Sequence, residues 1–164
     1  MKKILLAIAC TLFTFNLMAQ GLPTTQIKDV STGKKTPFDQ TIEKGKVTLI
    51  SFWATWCVPC KKEINNLSEV MPEWTKSMDF DLVAISIDDT RNQAKVKSYV
   101  NGQKWDFRTY MDPNQDLKRL LNFQTIPYTI VYDKDGRVAY THTGYVEGDE
   151  TILREKIREL LAVK

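Results

Sequence analysis

Two cysteines, Cys57 and Cys60, lie two residues apart in the segment Trp56-Cys57-Val58-Pro59-Cys60. An apolar, strand-like run over Val47–Trp53 precedes this segment, and a helical pattern follows it. Thiols at this spacing can close a small disulfide and reopen it, and a helix N-terminus stabilises the thiolate of the first one. The pattern therefore predicts redox chemistry, with Cys57 as the attacking nucleophile.

The N-terminus has the pattern of a secretory signal peptide. Lys2 and Lys3 precede an apolar stretch over residues 4–18, and the small residue Ala19 follows it. We expect cleavage after Ala19, which leaves residues 20–164 as one domain exported to the periplasm or cell envelope. An uncleaved anchor is the alternative, but the stretch is shorter than the roughly 20 residues that span a bilayer.

The composition argues against several other classes of protein. Without Lys2 and Lys3, 21 of the 23 basic residues remain and nearly balance the 20 acidic ones, so nucleic-acid binding has no electrostatic support. Cys10 lies in the leader, which leaves one local cysteine pair rather than a disulfide framework. A bridge between residues so close constrains the unfolded chain little. A structural zinc site normally needs four ligands, and Cys57, Cys60 and His142 make only three.

Hydrophobic periodicity predicts alternating strands and helices. Strands are predicted at 26–38 as a small hairpin, Val47–Trp53, 80–87, 107–111, Tyr128–Tyr132 and Val138–Thr143. Helices are predicted from Pro59 onward, with Pro72 bending or ending the helix, at 93–100 with a stop at Asn101-Gly102, from 112–114 to about 121, and at 150–162 with Asp149 as N-cap. The last two strands flank an Asp-Gly turn and should be antiparallel.

This order of elements resembles the thioredoxin fold, an α/β fold with a central mixed sheet flanked by helices. Residues 52–63, FWATWCVPCKKE, and residues 125–129, TIPYT, make the chain similar to the exported thioredoxin relatives of the TlpA and ResA group. The resemblance covers nearly all of residues 20–164, including the small N-terminal β-hairpin and an extra helix between the central strands. It implies a thiol:disulfide oxidoreductase.

Cys60 and Glu63 are the expected partners of Cys57 on the helix. Cys60 lies on the apolar side, so it should be buried and should resolve the mixed disulfide by attacking Cys57. A simple core cysteine is the alternative. In cytoplasmic thioredoxins a buried Asp accepts the proton of this thiol, but the aligned residue here is Ser51. The resemblance implies Glu63 instead, three residues after Cys60, whereas a solvated surface glutamate is the alternative.

The resemblance also implies a cis bond between Ile126 and Pro127, packed against the cysteines. The backbone of Ile126 would then pair with an extended substrate segment. A trans proline that begins an edge strand is the alternative. Trp56, Val58 and Pro59 are expected to form an apolar rim around Cys57 that contacts substrates.

Two other functional classes remain open. Copper-handling thioredoxin-fold metallochaperones typically carry a CxxxC motif and a histidine. This chain has CxxC instead, and His142 lies within the alternating pattern of a predicted strand. A thiol peroxidase would carry a Thr-x-x-Cys site. Thr55 lies near the expected place, but the proline usual in that site is missing and a second cysteine is present.

We therefore expect an exported thiol:disulfide oxidoreductase that reduces disulfides of particular envelope proteins through Cys57 and Cys60. Apocytochrome thiols, during c-type haem attachment, are one class of client that the resemblance implies. Protein thiols and disulfides are the expected substrates, and a membrane or envelope reductant is expected to recycle the chain. We expect a monomer with no nucleic-acid partner, no metal and no cofactor other than the disulfide itself.

Overall fold

The computed structural model describes residues 21–163, so the expected leader at residues 1–19 lies outside the described part. Between residues 21 and 163 there are seven strands and four α-helices: β1 (Gln26–Asp29), β2 (Lys35–Pro37), β3 (Val47–Trp53), α1 (Val58–Trp74), β4 (Phe80–Ser86), α2 (Gln93–Gln103), β5 (Arg108–Met111), α3 (Asp116–Leu120), β6 (Tyr128–Tyr132), β7 (Val138–Thr143) and α4 (Asp149–Ala162). No helix in this part of the chain combines the length and apolar character needed to span a bilayer.

The seven strands form one mixed sheet in the order β2-β1-β5-β4-β3-β6-β7. Strands β3, β4 and β5 are parallel to one another, whereas β6 pairs antiparallel with β3 and β7 pairs antiparallel with β6. The N-terminal hairpin of β1 and β2 extends the sheet at the other side, through antiparallel pairing of β1 with β5. A mixed sheet with this extra hairpin agrees with the architecture predicted from the sequence.

The central strand β3 is buried along its whole length. Successive side chains of a strand point to opposite faces of the sheet. Val47 and Leu49 pack in one apolar cluster with side chains of α1 and α4, whereas Ile50 and Phe52 belong to the cluster that includes Leu117 of α3. Ser51 points to the same face as Leu49, and this places a polar side chain of the central strand beneath α1 and α4.

Helix α1 begins directly after Cys57, which is its N-cap residue. Pro59 lies in the first turn, where the N–H that proline lacks has no partner within the helix anyway. Pro72 lies inside the last turn, and the helix ends two residues later at Trp74. The start and the end of α1 thus agree with the sequence pattern.

Three helix boundaries differ from the prediction. Helix α3 begins at Asp116 rather than at residues 112–114, because Gln115 before it adopts a left-handed conformation with φ of 56° through which a helix cannot run. Helix α2 runs through Asn101-Gly102 and ends at Gln103. Its C-cap residue, Lys104, adopts a left-handed conformation with φ of 55°. A glycine inside a helix costs only about 1 kcal/mol relative to alanine, which packing can offset. Helix α4 begins at Asp149, and its N-cap is Gly148 at φ of 101° rather than Asp149.

The first described residues lie beside the turn that joins β6 to β7. Gly136 in this turn has a φ of 75°, and a Cβ atom there would lie 3.4 Å from the Leu22 side chain. The turn follows β6, whereas Pro127 precedes β6. Leu22, which lies beside the turn, is therefore at the opposite end of β6 from Pro127.

Candidate active site

Cys57 and Cys60 are joined by a disulfide, with Cα atoms 5.3 Å apart. The backbone N–H of Cys60 lies 3.3 Å from the Cys57 sulfur, as expected for an N-cap side chain that accepts a hydrogen bond. Cys57 is 6% exposed and Cys60 is 0% exposed. Cys60 is therefore the buried member of the pair, and any attack from solvent must start at Cys57.

The loop before β6 brings a backbone carbonyl to the nucleophile. The bond between Ile126 and Pro127 is cis, as the family resemblance implied. The carbonyl oxygen of Ile126 lies 4.0 Å from the Cys57 sulfur. The carbonyl of Pro127 accepts a hydrogen bond from Gly144 N–H at 2.9 Å, so the loop is tied to the end of β7.

Glu63 is 1% exposed, so the alternative of a surface glutamate is wrong. The Ser51 hydroxyl donates to one carboxylate oxygen of Glu63 at 2.9 Å, and the Thr129 hydroxyl donates to the other at 3.0 Å. Ser51 and Thr129 are register partners in the antiparallel pair of β3 and β6. The two central strands therefore hold Glu63 three residues along the helix from Cys60.

The environment of Glu63 changes its acidity. Burial raises the pKa of Glu63 from 4.5 to about 7, although the hydrogen bonds from Ser51 and Thr129 oppose this effect. A buried carboxyl with this pKa exchanges a proton near neutral pH. Glu63 can thus exist in both charge states under ordinary conditions, which a general base that is recycled must do.

Asp88 fixes the loop that carries Cys57, a role that the sequence analysis did not predict. Its carboxylate accepts hydrogen bonds from the Thr55 backbone N–H and the Thr55 hydroxyl, both at 2.8 Å, and from the Ser86 hydroxyl at 2.8 Å. Asp88 and Thr55 are both buried. Position in the chain could have suggested Asp88, because it follows β4, whose end lies beside the end of β3 in a parallel pair.

Apolar side chains surround the cysteines on the solvent side. Trp56 is 61% exposed and Val58 is 70% exposed, and Pro59 is exposed as well. Ile126, whose carbonyl oxygen lies near the Cys57 sulfur, is half-buried. The structure thus brings together the four residues that the sequence suggested for substrate contact.

The turn after β7 packs against α1 near the site. Lys62 Nζ lies 2.6 Å from a Glu147 carboxylate oxygen, and the Asn66 side chain donates to the Tyr145 hydroxyl at 2.6 Å. The turn exposes the side chain of Val146. Residues 144–147 were not expected at the site, because only the sheet topology shows that β7 ends beside the start of β6.

Thr55 and His142 do not have the positions that a thiol peroxidase or a copper metallochaperone would require. The residue three places before Cys57 is Ala54, so the chain lacks the Thr-x-x-Cys pattern, and the hydroxyl of Thr55 is directed to Asp88. His142 lies 3.1 Å from Asp149 rather than at the cysteines. Among residues 21–163, no three His, Cys, Asp or Glu side chains group together as a metal site would need.

Comparisons with known proteins agree with this geometry. The family model described as Redoxin matches residues 19–157. The chain belongs to the Redoxin family. This Redoxin-family chain is 30% identical over 118 residues to the thiol-disulfide oxidoreductase ResA of Bacillus anthracis, a match that covers 72% of the chain and 61% of the relative. It is also 30% identical over 131 residues to the thiol:disulfide interchange protein HelX of Rhodobacter capsulatus, with 79% and 70% covered.

Solved structures show the same architecture. A thioredoxin-like protein from Porphyromonas gingivalis is 38% identical with a TM-score of 0.75, and the match covers 87% of this chain and 92% of that one. StoA from Bacillus subtilis, at 24% identity and a TM-score of 0.65, supports the fold alone, with 82% and 97% covered. The thioredoxin fold and the ResA-like resemblance predicted from the sequence are confirmed. The chain spans 61% of the length of the ResA relatives.

Proposed function

We propose that this chain is a thiol:disulfide oxidoreductase that reduces disulfides of specific cell-envelope proteins. One observation carries the proposal: a Cys57–Cys60 disulfide at the N-terminus of α1 lies beside the cis Ile126–Pro127 bond. A small, local pair with one more accessible sulfur can be opened and closed without unfolding the chain. The names of the ResA and HelX relatives support the same reaction class.

The reaction begins with the reduced chain. The Cys57 thiolate attacks a client disulfide, which forms a Cys57–client bond and releases one client thiolate. Cys60 then loses its proton and attacks the Cys57 sulfur, which releases the second client thiolate and closes the Cys57–Cys60 disulfide. Two electrons pass from the chain to the client, and the released thiolates take up protons.

Glu63 is the proposed base for Cys60. Cys60 is fully buried, so its proton needs an acceptor inside the protein. Glu63 is three residues away on α1, where Cβ atoms are about 5 to 6 Å apart. Its pKa of about 7 means that the carboxylate form becomes available as the pH rises through neutrality. The resolving step should accelerate over the same range.

The client is proposed to bind as an extended segment across the loop before β6. The backbone of Ile126 lies beside Cys57 and precedes the first ladder pair of β6, so a strand could be added there. Trp56, Val58 and Pro59 would contact apolar side chains of the client. Large exposed aromatic groups supply contact area at low cost in side-chain entropy.

The test uses the full chain without its leader, reduced and mixed with insulin as a protein disulfide. The wild-type chain should reduce insulin, and Cys57→Ser should abolish the reaction. Cys60→Ala should stop at a mixed disulfide on Cys57, visible by intact mass. If the reduced wild-type chain leaves insulin intact, the proposed activity is wrong. Separately, if Glu63→Gln leaves the rate and its pH profile unaltered, the base role must be dropped.

Narrower parts of the proposal rest on the N-terminal residue pattern or on the resemblance. These are export after cleavage behind Ala19, apocytochrome thiols as clients, recycling by a membrane or envelope reductant, and action as a monomer. Capture of mixed disulfides on Cys57 in cells that express Cys60→Ala, followed by mass spectrometry, would identify both client and reductant. The same sample reports whether the mature chain begins at Gln20 and in which fraction it resides.

A further inference from the structure

Three polar side chains form a row across the sheet beneath α1. Ser51 on β3, Thr129 on β6 and His142 on β7 are consecutive register partners. Residues directly opposite each other on paired strands point to the same face, with Cβ atoms about 4.5 to 5.5 Å apart. Glu63 binds the first two members of the row through its two oxygens. His142 is therefore the next side chain along the row.

The row leads from the protein interior toward solvent. Ser51 and Thr129 are fully buried, whereas the His142 side chain is 28% exposed. The His142 ring lies 3.1 Å from a carboxylate oxygen of Asp149, the first residue of α4. The same oxygen accepts the Val146 N–H at 2.7 Å, so Asp149 is held in place.

Polar and charged side chains face Glu63 from the neighbouring elements. Strands β3 and β6 contribute the Ser51 and Thr129 hydroxyls, β7 contributes His142 with Tyr140 beside it, and α4 contributes Asp149. On α1 itself, Cys60 is in the disulfide and the exposed Lys62 is paired with Glu147. The charge environment of Glu63 thus depends chiefly on one histidine and one aspartate.

We propose that His142 and Asp149 are a positioning pair for Glu63. From the solvent end of the row, the pair sets the charge state of the Glu63 carboxyl group. The inference rests on the proposed function, because it gives the pair a purpose only if Glu63 serves Cys60. Neither residue touches the cysteines.

The two members act in opposite directions. After burial, which raises the pKa of Glu63, and the two hydroxyl hydrogen bonds, which lower it, the charge of His142 lowers that pKa and the charge of Asp149 raises it. A cation nearby favours the ionised carboxylate, and an anion disfavours it. Removal of the two groups in turn should therefore move the titration of Glu63 in opposite directions, which a purely structural role would not do.

The experiment follows the carboxyl carbon of Glu63 by ¹³C NMR during a pH titration of the oxidised chain. The signal is assigned by its absence in Glu63→Gln. The wild-type midpoint should lie at about 7. His142→Gln should raise the midpoint by roughly half a pH unit, and Asp149→Asn should lower it by a similar amount.

Lys62→Gln is the matched control, since it removes an exposed charge from the residue adjacent to Glu63. Its shift should stay below about 0.2 of a pH unit. Shifts of the same sign in His142→Gln and Asp149→Asn, or shifts no larger than in the control, overturn the proposal. Asparagine can still accept from Val146 N–H, so Asp149→Asn remains informative if His142→Gln folds poorly.

A second readout connects the pair to the reaction. The pH midpoint of the step in which Cys60 resolves a mixed disulfide should move with the titration midpoint in each variant. The NMR titration needs no client, so it stands even if the chain fails to reduce insulin. An inactive wild type would refute the proposed function, whereas an unshifted Glu63 would refute the pair alone.

Discussion

The Glu63→Gln variant should be more stable than the wild type at alkaline pH, and the two should be equally stable at acid pH. Burial raises the pKa of Glu63 from 4.5 to about 7 in the folded chain. Between these two pH values the folded chain keeps a proton that the unfolded chain has lost. Wild-type stability contributed by this group is therefore fully present below about pH 4.5 and is lost as the pH rises through about 7.

The size of the effect follows from the separation of the two pKa values. A difference of roughly 2.5 units corresponds to about 3 kcal/mol of unfolding free energy. Glutamine carries no charge, and its amide can accept from one hydroxyl and donate to the other, so the contacts with Ser51 and Thr129 can persist. The variant should match the wild type near pH 4.5 and exceed it by up to about 3 kcal/mol near pH 8.

Urea unfolding of the oxidised chain at about pH 4.5, 6 and 8 measures this difference. Glu69→Gln is the control, because Glu69 is an exposed glutamate on the same helix. The Glu69→Gln and wild-type stabilities should follow the same pH dependence. If the Glu63→Gln and wild-type curves also run parallel, the buried carboxyl does not titrate near neutrality and the reasoning fails.

Three further outcomes are expected. Asp88→Ala should lower the unfolding free energy, measured by urea unfolding, by roughly 2 to 4 kcal/mol, because it leaves buried donors of Thr55 and Ser86 unpaired. A loss below about 1 kcal/mol would contradict this. Trp56→Ala should change stability by less than about 0.5 kcal/mol yet slow insulin reduction more than reduction of a small aromatic disulfide; equal slowing would argue against substrate contact. Lys62→Gln should cost less than about 1 kcal/mol, and less still in high salt, since its pair is exposed.

Local patterns were sufficient for the redox pair and for the strands that position it. Strand β3 has the bounds that its continuous apolar run predicts, and both strands of the last hairpin have the bounds predicted on either side of the Asp-Gly turn. The start of α1 follows from Cys57 as N-cap and Pro59 in the first turn. These features depend on neighbours within a few residues, which the sequence displays directly.

Features that depend on distant segments could not be predicted in the same way. Glu63 follows two lysines and looks like a surface residue, and its burial is explained only by hydroxyls 12 and 66 residues away. Helix α2 ends just before Trp105, whose ring centroid lies 5.6 Å from that of Tyr99 and 5.0 Å from that of Trp53, a distant packing partner. The contact of His142 with Asp149 requires the crossing from β7 to α4, so the histidine looked partnerless in sequence.

Leu22 lies beside the turn at Gly136, so the first described residues join the domain there. This junction is at the end of β6 that is farther from Pro127, and hence from the disulfide. The end of the domain that presents Cys57 is therefore separate from the end at which residues 21 and 22 join it.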